Sequence, residues 1–155
     1  SDVLPDLLQR WPAVRFYVVG RNPSAAVLAL ASDHIVVTGT VDDVRPYLQH
    51  AATVVAPLRI ARGIQNKILE AMAMGRPVIA SATCAAAVDA VAGQELLTAT
   101  SPEEYIAAIS QVLEAPETAT AMGGAARQRV VERYTWEAHM KAIDPYLPAP
   151  SLRET

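Results

Sequence analysis

Four short runs, Phe16–Val19, Ile35–Thr38, Thr53–Ala56 and Val78–Ala80, carry apolar residues on successive positions and not on alternating ones. A strand with one wet face alternates apolar and polar side chains, whereas a continuous apolar run needs cover on both faces. Segments with helical spacing separate the runs, and strands alternating with helices form a parallel sheet. The runs therefore predict an α/β chain, with a weaker fifth strand at Leu96–Thr98. The 155 residues fit one domain with a core of its own. Hydrophobic residues make up 52% of the chain but aromatic residues only 5%. Alanine and valine must then fill the core, which suits helices packed on a parallel sheet.

Helices are predicted at Val3–Arg10, Ser24–Ala31, Val44–His50 and Asn66–Met74, then at about Glu117–Arg133 and Trp136–Leu147. Asp42 and Asp43 stand where they can cap the third of these and offer charge to its dipole. Gly75 is a stop for the fourth, and Pro77 opens the next strand. Ser101, Pro102 and Glu104 have the spacing of a capping box, which starts one more helix. Trp11 and Trp136 read as packing residues. Residues 1–147 form the expected domain and 148–155 a disordered tail. An open α/β unit begins with a strand, and this chain begins with a helix, so a first strand is expected to be missing.

The formal net charge is −3. That weak balance gives no general attraction to nucleic acid or to an anionic membrane, so any phosphate site must be a local cluster. Cys84 is the single cysteine and cannot form an internal disulfide. This fits a cytosolic setting. No apolar run reaches the length of a membrane span. His34, His50 and His139 lack metal-ligand spacing, and Ser81 and Cys84 lack the surroundings of a nucleophile.

Chemistry concentrates in the segment from Pro57 to Pro77, which leaves the end of one strand, crosses a loop and enters a helix. Ligands of open α/β sheets bind in that crevice. Arg59, Arg62 and Lys67 bring three cations into an otherwise acidic chain, and Gly63 lets backbone approach a ligand. The helix that follows offers free N–H groups and partial positive charge, and together these groups suit a diphosphate. Glu70 sits among Leu69, Ala71, Met72, Ala73 and Met74 on a helix that reads as apolar nearly all round, and therefore buried. A buried carboxylate needs a partner. Two partners fit: a pair of ribose hydroxyls, or Lys67 through an (i, i+3) ion pair.

The block GIQNKILEAMAMGRPVIAS, residues 63–81, resembles the nucleotide-binding signature of glycosyltransferase family 4, whose usual form is E-G-F-G-x-x-x-L-E-A-M-A-x-G-x-P-V-I-A. The longer stretches RIARGIQNKILEAMAMGRPVIAS and TGTVDDVRPYLQHAATVVAPL are similar to a bacterial subgroup tied to exopolysaccharide and exosortase gene systems. The likeness continues through Gly93-Gln94-Glu95-Leu96-Leu97 and Tyr134-Thr135-Trp136. It implies a Rossmann-like parallel sheet with helices on both faces, one GT-B domain lacking its first strand. It also implies a donor-binding domain of a retaining enzyme that moves a sugar from a nucleotide diphosphate sugar to a saccharide or lipid-linked acceptor.

Carried over by the resemblance, Glu70 matches the second glutamate of a paired motif and holds the donor's ribose. Lys67 lies where relatives place a lysine near the diphosphate, and Gly63 faces the donor. Arg62 stands where the first glutamate is expected to contact the transferred sugar, which departs from the pattern; arginine there suits a diphosphate or an acidic sugar instead. Arg62 and Lys67 are then the catalytic candidates, with Glu70, Gly63, Arg59, Thr40 and Val41 binding the donor. Gly39-Thr40-Val41 falls near the base, which is read by backbone groups, and a plain turn explains the same residues.

The resemblance implies no metal and no cofactor beyond the donor substrate. It places the protein in the cytoplasm, at the inner face of the membrane if it makes peripheral contact there, with an acceptor bound through a separate N-terminal domain. The isolated chain is expected to bind donor with little turnover. Two other readings share the architecture: a sugar-nucleotide epimerase, and a nucleotide-binding module without chemistry.

Overall fold

A computed structural model describes residues 2–58 and 63–143. Its element order is α1 (Leu4–Arg10), β1 (Phe16–Val19), α2 (Ala25–Leu28), β2 (Ile35–Gly39), α3 (Arg45–His50), β3 (Val54–Ala56) and α4 (Asn66–Ala73). There follow β4 (Val78–Ala80), α5 (Ala82–Ala87), β5 (Leu97–Thr98), α6 (Pro102–Glu114), α7 (Pro116–Tyr134) and α8 (Trp136–Ile143). All strand pairing among the named strands is parallel, as continuous apolar runs require.

The sheet is divided. β1 pairs with β2, and β3, β4 and β5 form a second ladder in that order. No ladder joins the two groups among the described residues. The core lies on the three-stranded side. On one face of it Ala56, Val78 and Ala80 pack with Ile68, Ala71 and Met72 of α4 and Ala126 of α7. On the other face Ile79 packs with Tyr105, Ala108 and Val112 of α6 and with Ala119 and Met122 of α7. The alternation of Val78, Ile79 and Ala80 between two covered faces is why β4 is buried at every position.

β1 departs from the expected double cover. Phe16 and Tyr17 remain 41% and 47% exposed, since the two-stranded ladder contributes nothing to either buried cluster. Its contact with the rest includes the Tyr17 ring, 6.0 Å from that of Tyr47 on α3. Trp136, read as a packing residue, is 82% exposed. Trp11 is half-buried, with the Arg10 guanidinium 4.9 Å above its ring.

Helix ends follow local chemistry closely. α4 stops in a Schellman turn: Gly75 (φ +66°) donates to Met72 O, and Arg76 to Ala71 O. α2 is capped by Ser24, whose side chain accepts from Val27 N–H. The first turn of α3 is tied by the Asp43 carboxylate, which accepts from Arg45 N–H at 2.9 Å. The Arg45 guanidinium also binds this carboxylate and holds its pKa below the usual range.

α6 begins in a full capping box, in which Ser101 Oγ accepts from Glu104 N–H and the Glu104 carboxylate accepts from Ser101 N–H. Ser101→Ala removes the hydroxyl from this reciprocal pair. The expected cost is about 1 kcal/mol, or a melting temperature lower by about 2–4 °C, read by thermal denaturation. An unchanged melting temperature would show that the cap contributes nothing.

The loop between α5 and β5 is fastened to α7. Glu95 accepts from Arg129 Nε at 2.9 Å and from Val91 N–H at 2.7 Å. Arg129 is thereby held even more firmly protonated, chiefly through that side-chain bond. Cys84 is free and buried. Among the described residues no helix is long and apolar enough to cross a membrane. The tail at 148–155 lies outside the described residues, as does the end of the expected Trp136–Leu147 helix.

Candidate functional site

β3 and β4 run parallel, so the loop after β3 and the start of α5 after β4 emerge at one end of the ladder. The first of these loops leads into α4. Leu58 packs against the core and anchors its beginning. At its far side Gly63 adopts φ +71°, where a side chain would be strained, and open space surrounds the position of an added Cβ. Gln65 then turns extended as N-cap of α4. Its side chain makes no capping bond and reaches back to Gly63 O at 3.3 Å. With no side-chain cap, the first amides of α4 stay available to an anion.

α4 divides its residues between two faces. Ile68, Ala71 and Met72 are buried at i, i+3 and i+4. Lys67, Glu70 and Ala73 are exposed on the opposite side. This corrects the reading of α4 as buried all round. Small Ala73 counts as apolar in the sequence yet is exposed, so the helix is amphipathic and Glu70 reaches solvent.

The expected need for a buried partner therefore disappears. Lys67 and Glu70 share one face, but among the described residues no ion pair joins them and neither side chain makes a hydrogen bond to protein. An ammonium and a carboxylate thus stand apart within one turn, near the start of a helix whose first amides have no side-chain cap.

The other expected residues are placed as follows. Gly39 ends β2 with φ +69°, Thr40 after it is exposed and Val41 half-buried. Thr40 and Val41 follow the end of the two-stranded ladder, whereas Lys67 and Glu70 stand on α4, which packs on the three-stranded one. Arg59 and Arg62 lie outside the described residues. The structure thus brings Gly63, Lys67 and Glu70 onto one loop–helix unit. His34 is structural, with Nδ1 3.2 Å from Val14 O.

Ser81 also stands at this end of the sheet, a position that sequence reading did not assign to the site. It caps α5 by accepting from Cys84 N–H, and its hydroxyl lies 3.1 Å from Thr83 Oγ1. Two hydroxyls thus sit just past the end of β4. The signal available in sequence was a serine placed directly after a strand and before an alanine run.

Comparison with known proteins gives this geometry a family. The family model for glycosyl transferases group 1 matches residues 1–115. The chain belongs to that family. The matched region contains the whole loop–α4–β4 unit and stops just after α6.

Solved structures agree on the fold. Sucrose-phosphate synthase from Thermosynechococcus elongatus superposes with a TM-score of 0.79 at 23% identity, over 94% of this chain and 41% of that one. Anabaena Alr3699/HepE in complex with UDP and glucose gives 0.76 at 17% identity, over 95% and 44%. The pneumococcal O-GlcNAc transferase GtfA in complex with UDP and GlcNAc gives 0.74 at 17%, over 93% and 31%. No curated protein matches the chain by sequence. The fold is the GT-B glycosyltransferase fold, a parallel α/β arrangement with helices on both faces, and this chain spans less than half the length of these three structures.

Proposed function

We propose that this chain binds the donor of a retaining glycosyltransferase, a nucleotide diphosphate sugar, at the loop and first turns of α4. The observation that carries the reading is the pair Lys67 and Glu70, exposed on one face, their side chains without an ion pair or hydrogen bond among the described residues. A surface lysine and glutamate at this spacing have every chance to meet. Left apart, each can serve a ligand. Glu70 accepts from two vicinal ribose hydroxyls, which a carboxylate's two oxygens match. Lys67 and the amides at the start of α4 meet the diphosphate, and Gly63 lets it come close.

In the transfer step the sugar–oxygen bond to the diphosphate breaks and negative charge grows on the leaving oxygen. Donors aimed at that oxygen stabilise the transition state more than the ground state. Lys67 supplies this in our reading, with Arg59 and Arg62 of the same loop as further cations and without a metal ion. Thr40 and Val41 stand near the base. The acceptor, a saccharide or lipid-linked saccharide, meets the donor from a second domain. The protein works in the cytoplasm, on exopolysaccharide assembly and at the membrane's inner face. Structures of similar fold that hold UDP support the donor class.

Calorimetric titration with UDP, ADP, GDP and their nucleosides tests this. One nucleoside diphosphate should bind. Glu70→Gln should weaken that diphosphate and its nucleoside alike, by about tenfold, with the melting temperature unchanged. Failure of all three diphosphates to bind would end the reading. A nucleotide sugar that binds and changes configuration without acceptor would point to epimerase chemistry instead.

A further inference from the structure

A cavity opens at the other end of the three-stranded ladder, where β3 and β4 begin. It is a half-open recess of about 300 Å³, the lower end of the range for small-molecule pockets. Ala51 and Ala52 line it ahead of β3, Arg76 and Pro77 ahead of β4, Leu113 at the end of α6, and Thr120 near the start of α7.

Arg76 is the charged member of a wall that is otherwise apolar apart from Thr120, whose hydroxyl donates to Pro116 O. Among the described residues no carboxylate pairs with its guanidinium. Its Nε is buried without any hydrogen-bond acceptor. The acid at the start of α7, Glu117, is exposed on the adjoining groove and does not compensate it. The Nε atom is closed off by protein, whereas the two terminal Nη groups are not buried in this way and have no protein acceptor among the described residues, so they are the donors left to a ligand.

The backbone that carries the guanidinium is held in place. Arg76 N–H closes the end of α4 by donating to Ala71 O at 3.0 Å, and Pro77 confines Arg76 to extended backbone. A planar fork on a fixed backbone matches a carboxylate or phosphate, which accepts two parallel bonds.

We infer that this cavity binds a small organic anion, one carboxylate or phosphate group on a compact apolar body, through the guanidinium of Arg76. The apolar walls cover the body, and the arginine supplies charge and orientation. The site lies at the opposite end of β3 and β4 from Lys67 and Glu70 and stands independently of the donor proposal. Its ligand is a second species, bound while the donor crevice is empty or full.

Titration of the isotope-labelled chain, followed by amide chemical shifts, decides the matter. The probes are butyrate, ethyl phosphate and the neutral butyramide. Butyrate or ethyl phosphate should give saturable shifts at Ala52, Arg76 and Thr120, with a dissociation constant of roughly 1 mM; the tighter of the two identifies the head group. Butyramide should not saturate.

Arg76→Gln should weaken the anion by at least about tenfold. Arg76→Lys, which keeps charge but loses the fork, should retain part of the affinity. Lys67→Ala should leave these shifts unchanged, which separates this site from the donor crevice. Equal binding by Arg76→Gln, equal binding of butyramide, or no saturable shift with either anion would overturn the proposal.

Discussion

Gly123→Ala should lower the melting temperature by about 6–12 °C, corresponding to a loss of about 3 kcal/mol. Gly123 lies on α7 where that helix crosses the end of α4. A Cβ there would stand 2.8 Å from the carbonyl carbon of Gly75 and closer still to its oxygen. Both atoms are backbone, fixed by the turn that ends α4, so no flexible side chain can yield. Either α7 moves away from Ala71 and Met72, carrying Ala126 with it, or the turn opens.

The neighbour supplies the control. Gly124 is exposed and an added Cβ meets nothing within 4 Å. Gly124→Ala should therefore stabilise, by about 0.5–1 kcal/mol, through helix propensity alone. Thermal and urea denaturation of the two variants side by side reads both signs. Equal effects at 123 and 124 would mean that the α4–α7 contact is not close-packed.

Lys67→Ala should weaken binding of a nucleoside diphosphate by about 2–3 kcal/mol, roughly 30- to 150-fold, while changing the affinity for the bare nucleoside little. The lysine's partner in the proposed complex is phosphate, which the nucleoside lacks. Lys67 is exposed and makes no ion pair among the described residues that its removal would break, so the melting temperature should hold. Because the ammonium is solvated, added salt should narrow the gap between wild type and variant. Glu70→Gln predicts the opposite partition, with diphosphate and nucleoside losing equally. If Lys67→Ala affects nucleoside and diphosphate alike, the lysine does not face the diphosphate.

Features set by neighbours along the chain are legible in the amino-acid sequence itself. The Phe16–Val19 and Val78–Ala80 strands match the observed bounds, and the Ser101 capping box and the Gly75 stop appear as read. Each depends on a few adjacent residues and their backbone preferences.

Features set by tertiary packing are not legible there. α4 looks apolar all round because its alanines count as hydrophobic, yet Ala73 and Glu70 face solvent. β1 looks doubly covered, but cover depends on what lies beyond the strand, and Phe16 stays half open. α5 escapes notice because Ala82–Ala87 is too uniform in side-chain size and polarity to show a helical period. The candidate site is legible to the extent that it is local: Gly63, Lys67 and Glu70 lie within eight positions on one loop–helix unit. Arg76 draws no attention in sequence because its significance rests on α6, α7 and the approach to β3, which meet only in space.

The break between the two ladders bears on how the molecule comes apart. Strands that share hydrogen bonds open together, while groups without a shared ladder can open singly at a lower free energy. The β1–β2 group holds no fully buried residue, whereas β3, β4 and β5 carry Ala56, Val78, Ile79, Ala80 and Leu97. Under native conditions the first group should breathe while the second stays shut. Its amides should exchange with solvent early, and a protease should cut first between α1 and α3. The trimmed product would keep α4 with Gly63, Lys67 and Glu70 intact, but not Thr40 and Val41. Cooperativity in this chain thus stops at the boundary between β2 and β3, and the half that carries α4 is the durable one.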